Sequence, residues 1–434
     1  MGLSSWVTPL KFHVETYGCS ANRADGELMA SLLLRAGFEE ADEADADVFI
    51  VNTCGVKATT ENRIFNRLKA LRSSGKKIVV AGCLTRTSYG RLRRDIEYSV
   101  ALDPYSVDRV VEAVRLASRG ETMEELFSEK PPPNLPSLPT RTLNGVVGIV
   151  MVEEGCDFRC SFCATKAARG YTYSFDPSSI VASVCRMVSA GAKEVWLTGQ
   201  DIAGYSYGSV DLPKVLKGLT ELEGEFRVRL GMMTPVKAHG IREGLVKALR
   251  SEKVYRMLHI PVQSGSDLIL KRMRRGHKAM LFSELVDFFR GHFSHLTIAT
   301  DVIVGFPGET EEDFNSTLDM LKAVKPDVVN VSKFAPRPGT VAAALKPLPT
   351  EVVARRSRTV VELCRSISRS RNEGWLGKDC RVLITEKGKR EGTWVGRNDV
   401  YKPVVISSTR NILGDWVDVR IVGASDVYLI GECV

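Results

Sequence analysis

Apolar and polar positions alternate along this chain in three different rhythms. Up to about residue 130, Phe12–Tyr17, Val48–Asn52 and Ile78–Gly82 are apolar runs of strand length, while Ala24–Ala36, Lys57–Ser73 and Val107–Ser118 repeat apolar positions at helical spacing. Strands alternating with helices predict βαβ units and a parallel sheet. Residues 131–139, PPPNLPSLP, hold five prolines that neither a helix interior nor a central strand accepts, and read as a linker or a strap across a surface. Between 140 and 374 the alternation resumes. Val146–Val152, Glu194–Thr198, Arg227–Gly231, Met257–Pro261, Thr297–Val304 and Val328–Phe334 are strand candidates separated by helical stretches, the pattern of a full or partial (β/α) barrel closed by the Arg-rich helix Thr350–Asn372. From 375 to 434 the runs shorten to Arg381–Glu386, Thr393–Arg397, Val404–Ser407, Trp416–Val422 and Val427–Gly431, with turn signals at Lys387-Gly388 and Leu413-Gly414-Asp415, and predict a small antiparallel barrel. The expected fold class is α/β, with a parallel-sheet unit at 1–130, a linker at 131–139, a (β/α) barrel at 140–374 and a β-barrel at 375–434.

Composition narrows this only modestly. The 434 residues are 44% hydrophobic and 26% charged, an ordinary globular balance. The first 130 residues carry 18 Lys and Arg against 19 Asp and Glu, so the overall excess of +8 lies beyond them. A basic bias of this size permits an anionic partner such as RNA without demanding one. The opening MGLSSWVTPLKFHVETYGC has no basic region followed by an apolar core, Trp6 breaks the myristoylation pattern, and the longest apolar stretches are strand-sized. A cytoplasmic protein without membrane attachment is expected. Ten cysteines in a reducing compartment then point to metal rather than disulfides.

The most specific motif is Gly155-Cys156-Asp157-Phe158-Arg159-Cys160-Ser161-Phe162-Cys163, directly after a predicted strand. Three thiolates within eight residues can wrap one iron–sulfur cluster. A four-iron cube usually takes four protein ligands, so three leave one iron open to bind a substrate. A structural zinc site, the alternative, wants four closed ligands, and no nearby fourth Cys or His exists. A second triplet is spread out. Cys19, Cys54 and Cys83 each follow the carboxyl end of a predicted parallel strand, where ligands gather in open α/β sheets, and each sits in a turn rich in Gly or Asn. The alternative is three separate small core residues. Cys185, Cys364, Cys380 and Cys433 show no ligand spacing and are expected to pack in cores; the six His form no hydrolase pattern.

The Cys156–Cys163 loop, with Phe162 before its last cysteine, resembles the radical-SAM signature. The stretches ETYGCSANRADGE, VNTCGVKATTENR and AGCLTR resemble the three cysteine motifs of the methylthiotransferase family, and the three-unit order matches that family from end to end. The resemblance implies two [4Fe-4S] clusters, one on Cys156, Cys160 and Cys163 that cleaves S-adenosylmethionine to a 5′-deoxyadenosyl radical, and an auxiliary one on Cys19, Cys54 and Cys83 that carries the sulfur to be inserted. It further implies that Thr198, Gly199 and Gln200 receive the methionine amino group, a departure from the commoner Gly-Gly-Glu. Thr234, Gln263, Ser264, Asp301 and Gly305, all at predicted carboxyl ends of barrel strands, complete the expected S-adenosylmethionine contacts, with Arg169 nearer the substrate. The run Arg272-Met273-Arg274-Arg275-Gly276-His277 reads as a solvated helix end, with a phosphate contact as the alternative.

Residues 375–434 resemble the TRAM domain, a small barrel associated with RNA. Lys387, Lys389, Arg390, Arg397, Lys402 and Arg410 cluster there with Trp394 and Tyr401 interleaved, although the unit as a whole has nine basic against eight acidic residues. RLGMMTPVKAHG, HIPVQSGSDLILKRMRRGH and VNVSKFAPRPGTVAA are similar to the archaeal and eukaryotic branch. That branch converts N6-threonylcarbamoyladenosine beside the anticodon of tRNA to its 2-methylthio form, and needs an electron donor and a sulfur source that the sequence does not name. An isopentenyl-type adenosine or a ribosomal-protein aspartate are the alternative targets; a non-catalytic iron–sulfur RNA sensor or a small-molecule radical-SAM enzyme are more distant ones.

Overall fold

The computed structural model describes residues 9–55 and 58–434. Residues 1–8 of the opening segment, and Lys57 at the start of the helix expected over 57–73, lie outside the described residues.

The N-terminal unit is a six-stranded, wholly parallel sheet in the order β2-β1-β3-β4-β5-β6, with β1 Lys11–Thr16, β2 Glu39–Glu40, β3 Val48–Thr53, β4 Lys77–Gly82, β5 Val100–Leu102 and β6 Glu124–Leu126. Every residue of β3 is buried, as a central parallel strand covered on both faces must be. Its alternate residues feed two cores: Val48 and Ile50 pack with helices α1 (Ser20–Arg35) and α3 (Val110–Ser118), Phe49 and Val51 with α2 (Ala58–Ser73). The pattern reading missed β2, β5 and β6, which are too short to show an alternation. Pro131, Leu135 and Pro136 of the proline-rich segment are buried, Arg186 donates to the carbonyl of Pro136 at 2.9 Å, and Arg141 just beyond reaches Glu27 and Glu40, so this segment is a pinned strap.

The central unit is an open half-barrel. Strands β7 (Val147–Met151), β8 (Glu194–Thr198) and β9 (Arg227–Leu230) form one parallel sheet, and β10 (Met257–His259), β11 (Thr297–Val304) and β12 (Val328–Lys333) another. Parallel bridges Val228↔Val254 and Met232↔His259 join the two; among the described residues β12 pairs with β11 alone, while β7 pairs with β8 and, through Val147, with Leu143. Val195, Leu197, Val228, Leu230, Leu258, Ile298 and Val302 face the surrounding helices in one continuous core. The period of two then turns Trp196, Arg229, His259 and Asp301 onto the concave side, where Asp301 accepts from His259 at 3.0 Å and Asn330 at 2.8 Å. Helix α4 (Thr350–Glu373) packs along β12.

The last unit is a closed five-stranded barrel, β13 (Asp379–Lys387), β14 (Thr393–Arg397), β15 (Pro403–Ser407), β17 (Leu429–Cys433) and β16 (Trp416–Ala424) in spatial order. It packs across the amino ends of the half-barrel strands. Tyr401 donates to Glu194 at 3.0 Å, and Lys402 donates to both Asp327 and Asn372 at 2.8 Å. This corrects the reading of the basic and aromatic residues here. Lys402 is 4% exposed and Tyr401 is half-buried against Tyr255, so neither belongs to an exposed basic face of this unit; Lys387, Lys389, Arg390 and Arg410 remain exposed on neighbouring loops tied by Ser408 N–H to the Gly392 carbonyl. No described helix is long and apolar enough to cross a membrane. No disulfide joins any of the ten cysteines, all of which are among the described residues. Cys364 is buried as expected, whereas Cys185 and Cys433 are exposed rather than packed.

Candidate functional site

The three strand-end cysteines of the N-terminal sheet converge. Cys19 starts α1, Cys54 follows β3 and Cys83 follows β4. Gly18 has φ +116°, and a Cβ there would lie 2.7 Å from Cys54 Cβ and 3.0 Å from its Sγ, so only glycine lets the Cys19 turn close on Cys54. Asn22 knits the three together. Its Oδ1 accepts from Cys19 Sγ at 3.4 Å and lies 3.9 Å from Cys83 Sγ, while its Nδ2 donates to the carbonyl of Thr53 at 2.7 Å, next to Cys54. Burial pushes the Cys83 thiol up to about 11, with the Arg169 charge pulling the other way.

The other triplet lies on the loop after β7. Gly155, at φ +82°, would place a Cβ 2.0 Å from the Tyr171 carbonyl oxygen, which fixes glycine where the loop crosses its own return. Cys156 N–H closes that crossing on the Gly170 carbonyl at 3.1 Å, and Cys163 Sγ accepts from Thr165 N–H at 3.4 Å. Arg275 donates to Cys160 Sγ at 3.3 Å and to the Pro261 carbonyl at 2.8 Å, and is 6% exposed. The expectation of a solvated helix end is therefore wrong at Arg275, which the turn at Arg274 (φ +57°) folds inward. Phe162 packs with Met273, Phe306 and Ala342 beneath the loop. Burial pushes Cys156 up to about 12 and raises Cys160.

The donor set fits an iron–sulfur cube at each place. Each offers three thiols and one adjacent buried guanidinium, Arg169 or Arg275, whose charge offsets that of the thiolates formed when metal displaces the protons. Among the described residues no three His, Cys, Asp or Glu are gathered tightly enough for a single metal ion.

The two loops meet. Ser20 Oγ, beside Cys19, lies 2.6 Å from Thr198 Oγ1 at the carboxyl end of β8. Arg169, 1% exposed, donates to Glu154 and Asp25 at 2.6 Å each and to Asn22 Oδ1 at 3.4 Å, linking the loop of one triplet to the helix of the other. Burial raises both carboxyls and Arg169 pulls them back; for Arg169 burial opposes its charge and the two carboxylates outweigh it. Arg337, from the loop after β12, donates to the Gly55 carbonyl at 2.7 Å and to Glu61 at 2.5 Å.

The expected S-adenosylmethionine contacts divide into two groups. Gln200 Oε1 accepts from Gly155 N–H at 2.5 Å, and Asp201 accepts from Thr234 N–H at 2.8 Å and from its hydroxyl at 2.7 Å. Gly199 is required because a Cβ there would meet Glu153 Cγ at 2.5 Å. Thr198, Gly199, Gln200 and Thr234 thus form one patch against the cysteine loop. Gln263 adopts φ +78° and bridges to β11 through its backbone, and Asp301 is engaged by His259 and Asn330. Ser264 is fully buried with its Oγ 3.3 Å from Thr317, and a Cβ on Gly305 would meet Val353 of α4 at 2.6 Å, so these two face packed helices. Glu153 was not foreseen. It is fully buried, its Oε1 accepts from Asp201 N–H at 2.6 Å, and its Oε2 has no partner. Asn22, Glu154 and Arg337 were missed too. The only signal for them was an Asn, Glu or Arg inside a stretch otherwise explained by its cysteine or its prolines.

Comparison with known proteins locates this architecture. Residues 11–102 match the model of an uncharacterized protein family (UPF0004), 150–321 that of the radical SAM superfamily and 376–434 that of the TRAM domain. The chain is 41% identical over 427 residues to a probable threonylcarbamoyladenosine tRNA methylthiotransferase of Archaeoglobus fulgidus, covering 98% of each. It is 39% identical to one from Pyrococcus horikoshii, covering 98% of this chain and all of that one, and 34% identical to a threonylcarbamoyladenosine tRNA methylthiotransferase of Drosophila melanogaster, covering 97% and 77%. Among solved structures, the radical S-adenosylmethionine methyltransferase TsrM from Kitasatospora setae superposes with a TM-score of 0.59 at 15% identity, covering 77% of this chain and 75% of that one. That likeness concerns the fold alone.

Proposed function

The chain belongs to the threonylcarbamoyladenosine tRNA methylthiotransferase family, and on that premise we propose how its residues divide the transfer of a methylthio group to C2 of the adenosine. It is a radical-SAM enzyme that uses iron–sulfur and S-adenosylmethionine, and its substrate is tRNA. Cys156, Cys160 and Cys163 hold one [4Fe-4S] cluster, and Cys19, Cys54 and Cys83 hold a second. When bound, such clusters supply the electron that splits S-adenosylmethionine and an open iron that can carry sulfur.

The chain's own residues do the positioning. Asp201, locked by Thr234, fixes the Thr198–Gln200 loop against the Cys156 turn, so backbone and amide groups stand ready for the methionine end of the ligand. Gly199 lets Glu153 approach, and the partnerless Glu153 Oε2 gives that wall an acceptor suited to an ammonium. Arg169 and Arg337 hold the N-terminal sheet over the carboxyl ends of the barrel strands, which keeps the two triplets facing one space. The observation that carries this reading is the Ser20–Thr198 contact, which sets the first triplet's turn against the second triplet's ligand loop. Residues 1–130 serve sulfur storage, 140–374 radical generation, and the exposed basic loops of 375–434 hold tRNA phosphate. A cytoplasmic setting with a separate electron donor and sulfur source fits this division. The names of the relatives do not favour an isopentenyl-type adenosine or a ribosomal-protein aspartate as target.

The test uses the anaerobically reconstituted holoprotein with tRNA bearing N6-threonylcarbamoyladenosine. Cys156→Ala should abolish 5′-deoxyadenosine formation. Cys54→Ala should retain 5′-deoxyadenosine and yield no methylthio nucleoside; methylthio product from Cys54→Ala would overturn the assignment of two clusters.

A further inference from the structure

The concave side of the half-barrel carries a cationic site that the cysteine chemistry does not use. Trp196 and Arg229 are register partners on β8 and β9, and the Arg229 guanidinium stacks 4.9 Å from the indole centroid. On its other side Arg229 lies 5.4 Å from the Tyr401 ring, which reaches up from the C-terminal barrel. From above, Arg23 of α1 stands 6.0 Å from the same indole. Among the described residues neither Arg23 nor Arg229 has a carboxylate partner, and Arg229 Nε is buried without any acceptor. The carboxylate at the amino end of β8, Glu194, is taken up by Trp196 at 2.5 Å, Tyr255 at 2.8 Å and Tyr401 at 3.0 Å. A cation held in such a place without an anion costs free energy unless a ligand completes it.

Location says which ligand. Trp196 lies two residues below Thr198, about 7 Å deeper than the strand end at which the two cysteine loops meet. The open edge gives access: on β12, Val328 is 43% exposed and Asn330 is exposed, so solvent and ligand reach the concave side beside that strand. C2 and N6 of adenine share one edge of the base. A base that offers C2 to the sulfur therefore directs its N6 substituent into the same space. The rest of that wall, His259, Asp301 and Asn330, is polar and hydrogen-bonded, and suits an alkyl substituent poorly.

We propose that Arg229 and Arg23, flanking Trp196, bind the carboxylate of the threonylcarbamoyl group and so make the enzyme select the hypermodified adenosine over plain adenosine. This rests on the tRNA reading above and deepens it. Guanidinium suits the task because it grips a carboxylate through two parallel N–H···O bonds while its flat face stays on the indole.

The test compares binding of two probes to the holoprotein: tRNA carrying N6-threonylcarbamoyladenosine and the same tRNA with unmodified adenosine. Wild type should favour the first by about 10- to 100-fold, the range for a hydrogen bond to a charged group. Arg229→Gln should erase most of that preference by raising Kd for the modified tRNA alone. Arg229→Lys should restore part of it, and Arg23→Gln, on the exposed rim, should lose less. Undiminished preference in Arg229→Gln overturns the proposal. Equal weakening of both tRNAs overturns it in favour of a phosphate contact. A raised Kd for S-adenosylmethionine with tRNA preference intact overturns it in favour of that ligand's carboxylate. Binding of the unmodified tRNA shows whether each variant is folded. The functional reading fails separately, if wild type forms no methylthio nucleoside at all.

Discussion

At the carboxyl ends of the barrel strands the N-terminal sheet rests on Arg169 and Arg337; at the amino ends the C-terminal barrel rests on Lys402 and Tyr401. Each junction buries charge, but the carboxylates are treated differently. At the amino end Asp327 is met by Lys402, Arg371 and the Ile298 amide, and Glu194 by three neutral donors. At the carboxyl end one oxygen of Glu153 and one of Glu154 are buried with no partner, the only such carboxylate oxygens among the described residues. The difference lies in the carboxylates alone: at the amino end Arg227 Nε, Arg397 Nε, Asn398 Nδ2 and Trp416 Nε1 are buried donors without a partner, while the carboxyl end keeps carboxylate oxygens in reserve, as a junction open to ligands does. The same fold element thus ends in a fastening on one side and a reaction site on the other.

The contrast can be broken most severely at Arg169. Arg169→Met leaves Asp25 and Glu154 buried without their cation, and should cost about 3–5 kcal/mol of stability. It should also lower methylthio formation on the order of 10- to 100-fold, as loss of a group supporting metal ligands does. Lys402→Met leaves Asp327 with Arg371 and should destabilise less, by about 1.5–3 kcal/mol in urea unfolding, yet leave turnover per folded molecule unchanged. An equal loss of turnover in both variants would remove the distinction between the two ends.

Acid should separate the ends more gently. Burial first, then the Arg275 charge, hold His277 down to about 4 from its ordinary 6.5. That group contributes stability above pH 6.5 and loses it as pH falls through 4. At the other end burial alone would raise Asp327, but Lys402 and Arg371 outweigh it and hold the carboxyl below its usual range. Its contribution persists until the pH falls below that range. Hydrogen exchange across pH 6.5 to 4 should therefore show protection declining around His277 before the Asp327 junction. His277→Gln should flatten that early decline. The smallest effect is expected from Tyr401→Phe, about 0.5–1.5 kcal/mol for one hydrogen bond, with tRNA affinity unaltered because the ring is packed against Tyr255.

How far these features were legible depends on the range over which each one acts. The two cysteine triplets could be named because strand ends in a parallel sheet lie along one edge, and a short loop after a strand needs no tertiary knowledge. The half-barrel strands were readable for the same local reason. Arg337 was not: its partner Glu61 is 276 positions away, and nothing around Pro336 or Pro338 announces it. Arg275 and Lys402 were misjudged alike. A basic side chain in a polar stretch looks solvated until the fold shows a thiol at 3.3 Å or a carboxylate at 2.8 Å beside it. The strands Val100–Leu102 and Glu124–Leu126 escaped because three residues carry no periodicity.

The pinned strap has a consequence for how substrate arrives. With Pro131, Leu135 and Pro136 buried and Arg141 clasped by Glu27 and Glu40, the strap ties the N-terminal sheet to the half-barrel and opposes their parting like jaws around a folded anticodon. A nucleotide reaching the site without such parting is expected to swing out of its stacked loop and slip in sideways past β12, where Val328 and Asn330 are exposed, as bases do for enzymes that act on them singly. Tethering the strap covalently to its neighbouring helix should then leave turnover intact, whereas crowding that lateral doorway should halt it.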